Sequence, residues 1–113
     1  MTFIKRNLFV LLIVVRGELM SIERDFKELE ALKPGWDSYG APVPSKKAVA
    51  IARHIVSELK TPPLMVRPSA EGGVGIVLKS SDTEYEDIEV FNTGEVLKCT
   101  SDRKGNIKVG DYK

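Results

Sequence analysis

The stretch LMVRPSAEGGVGIVLKSSDTEYEDIEVFNTGEVLKCTSDRKGNIKV, residues 64–109, decides the fold. Its apolar residues recur every second position, and short β-rich runs are broken by glycine or polar clusters. The runs are Leu64 to Arg67, Val74 to Lys79, Tyr85 to Phe91, Glu95 to Thr100 and Ile107 to Val109. Asn92-Thr93-Gly94 and Asp102-Arg103-Lys104-Gly105 each supply a glycine where a tight hairpin needs positive φ, and Ser80-Ser81-Asp82 marks a further turn. Short connections make an antiparallel meander the economical topology. Val74, Ile76 and Leu78 share one face, as do Ile88 and Val90, so one side of the sheet is to be buried.

Upstream the period changes to that of a helix. Ala48, Val49, Ile51, Ala52, Ile55, Val56 and Leu59 fall on one side of a helix that starts after Pro44, with Ser45 as its N-cap. Thr61-Pro62-Pro63 ends it. A shorter helix runs from a Ser21 cap to about Leu32, with Ile22, Phe26, Leu29 and Leu32 on one face, and stops at Pro34-Gly35. The expected fold is α+β: two short helices packed on one face of a four- to five-stranded antiparallel sheet, as a single domain over residues 20–113.

Residues 1–19 read as an apolar extension. The run Leu8 to Val15 follows Lys5 and Arg6, but no small-x-small cleavage site comes after it, and eight helical residues span only about 12 Å of a roughly 30 Å hydrocarbon layer. Codons for Arg16-Gly17-Glu18 can form a purine-rich tract like a bacterial ribosome-binding site, which makes Met20 the alternative start.

The whole chain has 113 residues, with 17 Lys and Arg against 16 Asp and Glu and 42% hydrophobic residues. That is one domain with enough apolar material to fold, and its charge of +1 exerts no general pull on nucleic acid or acidic membranes. Only Lys98 to Lys113 is locally basic, so direct nucleic-acid binding ranks third among the functions considered. The single Cys99 cannot form an internal disulfide, and cytoplasmic life is expected.

The connector Pro34-Gly35-Trp36-Asp37-Ser38-Tyr39-Gly40-Ala41-Pro42-Val43-Pro44 holds the only Trp. Trp36 and Tyr39 read either as core anchors or as a binding pair, and Asp37 as the carboxylate of an Asx-type turn. Here the chain resembles a widespread group of small uncharacterised prokaryotic and phage proteins. The likeness rests on GWDSYGAPVPS at 35–45, on the helix after it, on VRPSAEGGVGIVL at 66–78 and on DIEVFNTGEV, and covers about residues 28–96. It implies an α+β fold and cytoplasmic life, but no reaction. Ser38 stands where the group usually has glycine, and Gly75 where it often has a polar residue.

Glu71-Gly72-Gly73-Val74-Gly75 reads as a turn into a strand, since a phosphate loop would need Gly-Lys-Ser/Thr or a following helix. Gly75 within the strand suggests a bulge or room for an aromatic ring. Asp82, Glu84, Glu86, Asp87 and Glu89 form an acidic run. Alternation puts Glu84 and Glu86 with Ile88 and Val90, and Asp87 and Glu89 with Tyr85 and Phe91. The run reads as a solvated face that pairs with Lys98, Arg103, Lys104 and Lys108, or as a docking face for a basic protein. His54 lies on the wet side of its helix without an orienting group, and Cys99 reads as a packed side chain. No catalytic residue, cofactor or resident metal is expected. The leading function is a small non-enzymatic intracellular protein-interaction module, a regulator or inhibitor, that binds its partner through Trp36, Asp37, Tyr39, Glu84, Glu86, Asp87 and Glu89. The alternative is a metal-dependent hydrolase or nuclease using Asp37, Asp87 and Glu89.

Overall fold

A computed structural model describes residues 21–102, 104 and 106–112; the proposed extension and the alternative start lie outside them. Helix α1 covers 21–31 and α2 Lys46–Glu58, and the strands are β1 Met65–Pro68, β2 Gly73–Ser80, β3 Tyr85–Phe91, β4 Val96–Ser101 and β5 Ile107–Asp111. The five strands form one sheet in the order β1-β2-β3-β4-β5, with every neighbour antiparallel. This is the α+β meander that the alternation requires.

The register aligns the apolar positions of β1 to β3 on one face. Val66 lies opposite Ile76, Ile76 opposite Ile88, and Val74 opposite Val90, and all five are buried. Against them pack Ile22, Phe26 and Leu29 of α1 and Ala48, Val49, Ala52 and Ile55 of α2. Ala48 and Ala52 are fully buried; their small side chains let α2 approach the sheet closely. Truncating a core residue such as Ile76 to Ala would cost about 2–5 kcal/mol, because the close-packed surroundings cannot fill the void.

Helix ends follow local chemistry. Ser45 caps α2 by accepting a 3.0 Å hydrogen bond from the Ala48 amide. Ser21 is itself helical and so is not the cap that the sequence suggested for α1. Arg53 joins the helices, pairing with Glu23 at 3.1 Å and Glu30 at 2.8 Å while its guanidinium stacks 4.5 Å from the Phe26 ring.

Two expectations about β2 are corrected. The ladder with β3 slips between Val77 and Lys79, so the bulge falls near Leu78 and not at Gly75. The side chain nearest to Gly75 is not an aromatic ring but Arg67, its β1 neighbour, whose Cζ would lie 3.0 Å from a Cβ there. Gly73 is also required: its φ is 123°, and a Cβ would come within 2.0 Å of the Val90 carbonyl oxygen. The segment before it is a turn, closed by Ser69 N–H donating to Gly73 O at 3.1 Å.

Candidate functional site

The acidic run separates into two faces, as alternation requires, but neither is an uncompensated acidic surface. On the face away from the helices, Arg67 reaches over Gly75 and donates to Asp87 Oδ2 at 3.1 Å and to Glu89 Oε1 at 3.0 Å. Tyr85 adds a 3.0 Å hydrogen bond to the same Asp87 oxygen. Asp87 is only 3% exposed, which corrects its reading as part of a solvated face, and its Oδ1 has no hydrogen-bond partner. Burial pushes Glu89 up to about 7, helped by a hydrogen bond with Asp87, while the charge of Arg67 acts the other way.

On the other face Lys98 pairs with Glu86 and Lys79 with Glu84, both at 2.7 Å. Of the cations the sequence offered to this run, only Lys98 makes such a pair among the described residues. Lys79 and Arg67 supply the remainder. Sequence reading missed Arg67 because its contact with Asp87 depends on two strand registers; the only local signal was the glycine opposite it. Cys99 lies across from Asp87, and burial first, then the nearby carboxylates, raise its thiol above the ordinary range. That disfavours the nucleophilic thiolate. His54 is exposed and pairs with Glu58.

Asp37 does not join Asp87 and Glu89. Its Oδ1 accepts from the Tyr39 amide at 2.9 Å and the Ala41 amide at 3.0 Å, in the Asx-type arrangement expected of it. Those bonds, Ala41's first, hold its carboxyl below the ordinary carboxylate range. Among the described residues, no group of three or more His, Cys, Asp and Glu side chains is placed to hold a metal ion. The loop aromatics part company. Trp36 is half-buried and donates to Pro42 O at 3.1 Å, whereas Tyr39 is 93% exposed and anchors no core.

The two edges of the sheet differ in what they offer to another strand. Ser69 N–H bonds to Gly73 O, so ladder alternation turns the backbone groups of Val66 and Pro68 outward from β1. The Val66 amide already donates to Asp25 Oδ2 of α1 at 3.0 Å, and Pro68 has no N–H. This edge therefore lacks a free outward donor. At the other side, Asp102 N–H bonds to Asn106 O and Tyr112 N–H to Val96 O, which turns the groups of Ile107, Val109 and Asp111 outward from β5. These have no partner among the described residues. All five residues of β5 are exposed, including Ile107 at 69% and Val109 at 62%, which stand on the same face as Cys99 and Leu97.

Sequence reading placed β5 but not its significance, because alternation identifies a strand without telling whether it is central or marginal. Near its start, a shallow polar cleft of about 260 Å³ is lined by Lys79, Glu84, Glu86, Asp102 and Lys108. Its acids are already engaged: Glu84 and Glu86 by lysines, and Asp102 by the amide and side chain of Asn106 and the amide of Lys104. Among the described residues, no helix is long and apolar enough to cross a membrane. Comparison with protein-family models, with curated proteins and with solved structures finds no match.

Proposed function

We propose that this protein is a non-enzymatic interaction module that binds a protein partner by accepting a strand at the edge of β5. The observation that carries the reading is the asymmetry of the edges: β1 is blocked by Asp25 and Pro68, while β5 offers its outward backbone groups beside exposed Ile107 and Val109. Natural sheets generally protect such edges, so one left open and apolar is best explained by use. Main-chain hydrogen bonds would supply affinity, and Ile107 and Val109 specificity. The carboxylates singled out in the sequence then have a supporting part, since Arg67, Lys79 and Lys98 compensate them within the fold. A cytoplasmic regulator or inhibitor fits this mode, and Tyr39 offers a second contact. For the metal-dependent alternative, no third ligand stands beside Asp87 and Glu89 among the described residues.

The test is capture of partners from a lysate of the source organism with the wild-type chain and with Val109→Pro. This substitution removes an outward N–H and leaves the β4 ladder its donors. A partner that is held by wild type, lost by the variant, and that slows amide exchange at Ile107, Val109 and Asp111 after purification supports the reading. A partner held equally by both, with those amides unaffected, overturns it.

A further inference from the structure

The same edge carries a more specific reading, which rests on β5 being the binding strand: we infer that its partner is a second copy of this chain, joined through a two-fold axis at Val109. The sequence of β5, Ile107-Lys108-Val109-Gly110-Asp111, pairs all three of its outward-turned residues with those of its own antiparallel image in one register. Setting Val109 opposite Val109 of the second copy brings Ile107 opposite Asp111, and all the outward-turned residues then exchange N–H and C=O groups. About six backbone hydrogen bonds form, and the two sheets become one of ten strands.

Side chains select that register. Lys108 falls opposite Gly110 of the second copy, and a Cβ added at Gly110 would meet nothing within 4 Å, so the lysine stem has room to lie across it. Sliding the pair to bring Ile107 opposite Val109 would instead set Lys108 against Lys108, in the closely spaced type of pair where like charges repel most. In the preferred register Val109 meets Val109 on the outer face, and exposed apolar surface of both copies is covered. The other edge cannot form the corresponding dimer, because Pro68 lacks a donor and Asp25 occupies the one at Val66.

Sedimentation of the full chain from micromolar to near-millimolar concentration reads the association. The expected result is a rise to twice the chain mass for wild type, with Val109→Lys remaining at the monomer mass and melting at the temperature of the wild type at a concentration where it is monomeric. Register is read by oxidation in a Cys99→Ser background. Val109→Cys is expected to form an interchain disulfide, because directly opposed residues of such a pair have Cα atoms about 5.5 Å apart, within disulfide reach. Lys108→Cys is expected to form none. A wild type that stays monomeric throughout, or a dimer that survives Val109→Lys, overturns the inference. Cross-linking at Lys108→Cys but not at Val109→Cys overturns the two-fold at Val109. A monomeric wild type that still loses a captured protein on Val109→Pro would leave strand addition standing and remove only the second copy.

Discussion

Arg67 is one cation facing two carboxylates, Asp87 and Glu89. Glu89 rises from an ordinary value of 4.5 to about 7 through burial and its hydrogen bond with Asp87. Between those values the folded chain holds a proton that the unfolded chain has released, so stability falls as pH rises through this window and levels off above it. With allowance for partial solvent screening, the expected loss between pH 5 and pH 8 is about 1–2 kcal/mol. Urea unfolding at the two pH values measures it, and Glu89→Gln, which keeps a donor toward Asp87, should flatten the dependence. Removing the cation is harsher. Arg67→Ala leaves Asp87 buried beside no positive charge and should cost about 2–4 kcal/mol, part of it recovered by adding Asp87→Asn. Ser38 presents the opposite case. Its φ of 67° is left-handed backbone that suits glycine, so Ser38→Gly should raise stability by about 0.5 kcal/mol, the released strain being partly offset by glycine's unfolded-state entropy. An unchanged or lowered denaturation midpoint would show that no strain is stored there.

Elements were readable from sequence wherever local chemistry decides them. The run of β3, Tyr85–Phe91, has the same bounds in sequence and structure, and α2 starts at its Ser45 cap, because alternation and capping act within a few residues. What joins the elements was not legible. Asn92, read only as a hairpin residue, accepts from the Ser45 amide at 2.7 Å and donates to Val43 O at 3.1 Å, so the β3–β4 turn clamps the start of α2. Ser45 and Asn92 are 47 residues apart, and no periodicity connects them. Asn92→Ala should cost about 1–3 kcal/mol, since it leaves partly buried backbone groups unpaired, and Ser45→Ala about 1 kcal/mol through loss of the cap. Because the two sites share a contact, the double variant should lose less than the sum of the single losses in a thermal or urea melt. Strict additivity would mean that cap and clamp act independently.

Across the whole molecule the layers are unequal, and this bears on both stability and binding. Helix α2 packs on β2 and β3, whose Val74, Ile76, Ile88 and Val90 are almost fully buried, whereas β4 is half-buried and β5 is exposed throughout. The sequence announced five strands but not this gradient, because Ile107 and Val109 alternate much as Ile88 and Val90 do; only the order of strands relative to the helices tells a core position from a marginal one. Opening β5 uncovers little apolar surface, while opening β3 dismantles the core, so local unfolding should begin at β5 and end at β2 and β3. Amide exchange on the dilute chain measures this. The amides of Lys108 and Gly110, which face β4, should exchange far faster than those of Ile76 and Ile88, and only the latter pair should follow global stability, exchanging faster when Ile76→Val is introduced and slower when a stabilising solute is added. Equal protection of β5 and β3 in dilute solution would mean that the sheet opens as one unit. In that case β5 is held as firmly as the core, and the freedom of its edge to take up another strand would have to come from its unpaired backbone groups alone.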